Sequence, residues 1–312
     1  MSFQRNRFGI GFTGTHRAEG TVARMTGWNR MRAVCGAALL GLLAACGGSN
    51  SSPYNPGSGQ PPPPPPAAAS LKLASNARFG NYLVDGNGRT LYLFAIDLPA
   101  GGGHPAVSNC TGSASDTGSC IYLWPIFHVD TVTVNGINAA DVGELTRSSD
   151  GMKQTTYKGF PLYYFGPDAN PGDVGGEAIP DWFVLRDPFY TIMTLNAGGK
   201  HRLTDGAGRS LYFFAQDTVG NPPTSACPGT AGNRTTCVGN WPIFLASTTV
   251  VPSNIPPAKI TVFTRGSDNL QQSAFDGHPL YYFADDKVPG DDLGLTFPPG
   301  LGQWFNVDPA VQ

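Results

Sequence analysis

Glutamate is almost missing from the part of this 312-residue chain that follows Cys46, where Glu144 and Glu177 stand against 19 aspartates. Glutamate suits helix interiors whereas aspartate suits turns and caps. The skew therefore argues against a helix-rich fold, and 41 glycines and 28 prolines point the same way. Positive charge is also short. From Cys46 onward 14 Lys and Arg face 21 Asp and Glu, a net of −7, which argues against nucleic acid as a partner and against an electrostatic hold on anionic lipid. The apolar run at residues 33–45 falls below the ~20 residues that span a bilayer. His104, His128, His201 and His278 sit in no Gly-x-Ser-x-Gly or His-Glu-x-x-His context, so no catalytic residue is assigned and the chain is not expected to be an enzyme. Paired aspartates leave a carboxylate-based hydrolase acting on a glycan as an alternative.

What the chain does have begins with its ends. Arg30 and Arg32 precede the 33–45 apolar run, which closes on Leu43-Ala44-Ala45-Cys46. That is the layout of a secretory signal peptide over residues 1–45. Residues 1–24 carry no apolar run, and a start at Met25 or Met31 would leave an n-region of ordinary length. The Leu-Ala-Ala-Cys ending resembles the bacterial lipobox, which makes Cys46 the expected lipidation site and first mature residue, with the membrane as partner through that lipid. Gly47 follows it, so the Asp that retains many lipoproteins at the inner membrane is absent and export to an outer membrane is open. Residues 46–70, with six consecutive prolines from Pro61 to Pro66, cannot bury a core and read as a Pro/Gly/Ser-rich tether.

The folded part is built on repetition. Tyr-x-aromatic-x-x-Asp occurs at Tyr92, Phe94, Asp97; at Tyr163, Phe165, Asp168; at Tyr212, Phe214, Asp217; and at Tyr281, Phe283, Asp286. Tyr92 and Tyr212 are 120 positions apart and Tyr163 and Tyr281 are 118 apart, so two repeat pairs are expected, at 71–190 and 191–312. Apolar runs flank the Asp-Gly turns at Asp85-Gly86 and Asp205-Gly206, a hairpin pattern. The shorter repeats align through Thr146-Arg147-Ser148-Ser149-Asp150 with Thr264-Arg265-Gly266-Ser267-Asp268, and through Trp182 with Trp304. The expected fold is all-β: four antiparallel meander repeats in a pseudo-twofold arrangement, as a small propeller-like ring or a two-sheet sandwich. Strand alternation puts each motif Tyr and its aromatic partner on one core-facing side, with the Asp just past the strand, bonding turn amides.

Cys110 and Cys120, and Cys227 and Cys237, occupy equivalent places before a Trp-Pro-Ile-Phe segment and are expected to form two local disulfides. Asp168 with Asp173, and Asp286 with Asp291, flank Pro-Gly turns, and their oxygens suit calcium as a candidate cofactor. Tyr164 and Tyr282, opposite the motif tyrosines, are candidates to stack on a sugar ring or a protein surface.

Four in-register motif copies behind a lipobox resemble the bacterial secreted-repeat lipoproteins described by that motif, over Arg78 to about Pro309. The resemblance implies an extracytoplasmic, lipid-anchored protein of the cell envelope. The family is of unknown function, so it lends no catalytic residue. The expected role is non-catalytic binding or scaffolding toward an envelope protein or a glycan, with a calcium-binding module as alternative.

Overall fold

The computed structural model describes residues 70–197, 199–297 and 303–308. The expected signal peptide, the expected lipidation site Cys46 and the expected tether up to residue 69 lie outside them. The first repeat pair contains β1 (Leu71–Asn76), β2 (Gly80–Asp85), β3 (Tyr92–Phe94), the one-turn helix α1 (Cys120–Leu123), β4 (Val134–Asn135), β5 (Val142–Thr146), β6 (Lys153–Tyr157), β7 (Phe160–Pro161), β8 (Trp182–Val184) and β9 (Arg186–Asp187). The second contains β10 (Ile192–Ala197), β11 (Lys200–Asp205), β12 (Tyr212–Phe214), α2 (Cys237–Asn240), β13 (Ile260–Thr264), β14 (Gln271–Phe275), β15 (His278–Pro279) and β16 (Trp304–Asn306). The fold is all-β, made of several small sheets that do not close into a barrel.

Each pair uses the same three pieces. A long antiparallel hairpin, β1–β2 or β10–β11, opens it. A three-stranded meander, β5–β6–β7 or β13–β14–β15, follows later. Between them the motif strand β3 pairs antiparallel with β8, and β12 with β16. One extra parallel contact, β1 with β4, belongs to the first pair alone.

One local expectation changes. The apolar runs around Asp85-Gly86 do not zip into a full hairpin. Asp85 folds the turn on itself, its Oδ1 accepting the amides of Asn87 and Arg89 at 2.9 and 2.8 Å, and pairing stops at the single bridge of Val84 with Thr90. Beyond that bridge, β3 has two other neighbours, β8 on one side and Tyr163 on the other. The Trp-Pro-Ile-Phe segments form no regular strand. Ser119 caps α1 through its side chain, Trp124 ends that helix, and Ile126 makes only a bridge to Tyr163.

β3 buries both faces. Tyr92 and Phe94 enter an aromatic cluster with Trp124, Tyr163, Phe165 and Trp182, whereas Leu93 joins the aliphatic core around Leu71, Leu83, Phe160 and Leu185. In the aromatic cluster Trp124 and Trp182 stack at 3.6 Å between centroids, and Phe94 stacks on the other face of Trp182 at 4.1 Å. The second pair repeats this stack with Trp241, Trp304 and Phe214 at 3.7 and 4.3 Å. Gly176 lets the stack close, because a Cβ there would sit 2.8 Å from both Trp124 and Tyr92, and Gly294 does the same against Trp241.

Strand β10 sews the pairs together. Ile192 points into the core of the second pair, whereas Met193 and Leu195 fill the aliphatic core of the first. The amide of Asn196 also donates to the carbonyl of Ala95 at 2.8 Å.

Trp182→Ala opens the centre of a three-ring stack and should cost about 3–5 kcal/mol, read as a lower urea midpoint at unchanged slope. An unchanged midpoint would mean the stack contributes nothing to the core.

Candidate functional site

The motif is a polar exchange between repeats. The Tyr163 hydroxyl donates to Oδ2 of Asp97 at 2.6 Å, and the Tyr92 hydroxyl donates to Oδ2 of Asp168 at 2.5 Å. Tyr281 reaches Asp217 at 2.9 Å and Tyr212 reaches Asp286 at 2.7 Å. Every motif tyrosine therefore serves the aspartate of the neighbouring repeat. The second oxygen of each aspartate accepts a backbone amide, from Asn109, Gly175, Ala226 and Leu293 respectively. The turn-capping role read from sequence is thus half of what these carboxylates do. The other half was missed, although a fully buried phenol needs an acceptor and a buried carboxylate needs donors.

A buried arginine extends two of the four pairs. The Arg147 side chain is completely enclosed, with Nε 3.0 Å from Asp150, a donated bond to Oε1 of Gln154 at 3.0 Å and another to the carbonyl of Cys110 at 2.7 Å. It also donates to Ser108, which meets the Tyr163 hydroxyl at 2.7 Å. Arg265 repeats this set on Asp268, Gln272, the carbonyl of Cys227 and Ser225. The two predicted disulfides form, Cys110–Cys120 and Cys227–Cys237. Each arginine thereby fastens a disulfide-closed loop to the motif.

The Pro-Gly loops are also committed within the fold. Oδ2 of Asp173 accepts the amides of Ala169 and Asn170, and Oδ2 of Asp291 accepts those of Lys287 and Val288. The carbonyls of Asp173 and Asp291 accept from Thr90 and Ser210 on the other repeat of each pair. Among the described residues no group of three or more His, Cys, Asp and Glu side chains is arranged to hold a metal ion. Tyr164 and Tyr282 are half-buried. Their hydroxyls donate to Asp85 and Asp205 at 2.9 Å, and the guanidinium of Arg89 or Arg209 covers the ring at 4.1 Å from its centroid. That ring face is taken by the cation.

A further group of polar side chains lies where the two repeat pairs meet. A cavity of about 330 Å³ is lined by Glu177, Asp181, His201, Ser253 and Asn254, with Ile179 and Phe183 among its apolar wall residues. His201 Nε2 stands 2.8 Å from Oδ1 of Asp181, whose Oδ2 accepts from Asn196 at 3.0 Å. Asp181 adopts a left-handed backbone (φ +67°), a region that Asp tolerates better than most residues. Glu177 is buried, one oxygen accepting the amide of Val184 at 2.6 Å. Burial raises its carboxyl above the usual range despite Ser253 and the Val184 amide. None of these residues was a sequence candidate. The available signal was a departure from the repeat, since the second pair has Leu295 and Gln303 beside its Gly294 and Trp304, where the first has Glu177 and Asp181 beside Gly176 and Trp182.

A comparison with protein families matches residues 145–185, which run from β5 to the residue after β8 and include Tyr163, Asp168 and Trp182. The family it matches is described as a secreted repeat of unknown function. The secreted repeat carries one tyrosine and one aspartate of the exchange, and the partners of both, Asp97 and Tyr92, lie outside it. The two disulfides fit that extracellular setting. Neither the curated proteins nor the solved structures yield a match.

Burial pushes the Asp97 carboxyl up to about 7, outweighing the lowering effect of Tyr163, Asn109 and Arg147, and burial brings Asp217 and Asp286 to about 6. The folded protein then keeps protons that its unfolded chain releases near pH 4. Stability is fully present below that pH and is lost as pH rises through about 6 to 7, by about 1.4 kcal/mol per pH unit for each such carboxyl. Urea unfolding between pH 4 and 8 should show this fall, and Asp97→Asn should flatten it. A stability that rises across this range would contradict the assignment.

Proposed function

We propose that the protein is a lipid-anchored, extracytoplasmic protein of the bacterial cell envelope, whose repeat pairs form a rigid, non-catalytic binding module. The observation that carries this reading is the closure of the motif on itself. All four tyrosine–aspartate pairs, both buried arginines and both disulfides spend their polar groups inside the fold. Chemistry so placed holds a shape and is not offered to a substrate.

The binding surface in this reading is the cavity between the pairs, which joins an apolar wall to a few fixed polar groups, the usual make-up of a small-ligand site. The lipobox-like Leu43-Ala44-Ala45-Cys46 and the proline run supply the anchor and the spacer that hold the module off the membrane. A single lipid chain binds a membrane marginally, so stable anchoring calls for the multiple acyl chains of a bacterial lipoprotein.

In cells fed an alkyne-tagged fatty acid, the wild-type chain should carry the tag and sediment with membranes, whereas Cys46→Ala should lose both. A wild-type protein recovered untagged in the soluble fraction would end the anchoring part of this reading.

A further inference from the structure

The junction cavity is acceptor-rich. Glu177 is 7% exposed, and its Oε1 has no hydrogen-bond partner among the described residues. Ser253 lies near enough to favour the ionised carboxylate, yet outside hydrogen-bond geometry with that oxygen. Asn196, which orients the Asp181 carboxylate behind His201, has an Oδ1 that is also buried and unpartnered. An orphaned buried acceptor is costly, at about 1–3 kcal/mol, unless something donates to it. No Lys or Arg lines the cavity. Arg78 and Arg186 act on Glu177 at Coulombic range across an adjoining, smaller cavity that Glu177 and Ser253 also line, and the Arg186 guanidinium donates to the carbonyls of Phe79 and Val251.

Resting on the binding-module reading above, we infer that this cavity binds a small primary amine as its ammonium ion. The ammonium donates to Glu177 beside the Asp181–His201 pair, and a short apolar chain lies along Ile179 and Phe183. An ammonium brings three donors and no acceptor, which complements a site with surplus acceptors. A carboxylate or phosphate ligand would add acceptors to a site already short of donors. The volume, about 330 Å³, is at the lower end for small-molecule sites, so the ligand is small. The internal two-fold does not reproduce these residues, because Leu295 follows Gly294 where Glu177 follows Gly176. One amine site per chain follows.

The test is calorimetry and ligand-detected NMR on the full-length protein in detergent at pH 7, using n-butylammonium, n-butanol and butyrate as probes. Butylammonium should bind saturably, at least tenfold more tightly than the other two. Glu177→Gln keeps an acceptor for the Val184 amide and should weaken butylammonium at least tenfold. Ala178→Trp, at an exposed position on the rim, should abolish binding without lowering the melting temperature. If butanol binds as tightly as butylammonium and Ala178→Trp removes both, the ammonium inference is wrong while the binding module stands. If no probe binds, or Glu177→Gln binds butylammonium as the wild type does, the site is wrong too, and anchoring through Cys46 is judged on its own experiment.

Discussion

The exchange of hydroxyl for carboxylate between neighbouring repeats is the constraint on which the fold rests. Tyr92 and Asp97 belong to one motif but not to one hydrogen bond. The tyrosine lies in a strand and the aspartate just beyond its end, so the donor of one repeat faces the acceptor of the next. A repeat standing alone would leave its phenol without an acceptor and one oxygen of its carboxylate without a donor, each at a cost of about 1–3 kcal/mol if buried. Two repeats cancel both debts at once. Repeats of this kind are therefore stable as pairs, and duplicating the pair gives four.

The pairs are then stiffened by contacts that share members with the exchange. Tyr163 bonds Asp97 while its ring edge meets Trp182 at 5.1 Å, and Trp182 stacks on Trp124 at the end of the helix that begins with Cys120. Arg147 reaches the carbonyl of Cys110 from the other direction. Rigid side-chain stacks, a short covalent loop and a buried guanidinium converge within one small volume. Buried ionic groups of this sort are weak sources of net stability but leave few alternative packings, since any other arrangement strands a charge.

The sequence was legible where a local rule governs. Spacings of 120 and 118 exposed the duplication, paired cysteines ten apart gave the disulfides, and strand alternation put Tyr92 and Phe94 on one side. It was illegible where a long-range partner decides. The turn at Asp85-Gly86 looks like a hairpin, yet β3 continues to β8 because Trp182 and Phe183 lie there to pair with Phe94 and Leu93. The Tyr163–Asp97 bond spans 66 residues, and spacing within a motif cannot report a partner in another repeat. Arg147 and Arg265 stood out as aligned positions, but only burial reveals that they clamp the disulfide loops.

Internal symmetry also sorts the residues by role. A position kept alike in both pairs, such as Gly176 with Gly294 or Gln154 with Gln272, answers a demand that both copies of the fold make. A position that differs is released from that demand. Glu177, Asp181 and His201 belong to this second class, and they converge because the end of the first pair meets the opening hairpin of the second, a junction that occurs once along the chain. Placing a buried acid there works against stability, because Glu177 leaves Oε1 unpartnered where Leu295 stands at the matching place of the other pair. The fold uses one oxygen of Glu177, on the Val184 amide, and leaves the other buried without a donor, so this position carries a cost that its counterpart in the second pair avoids.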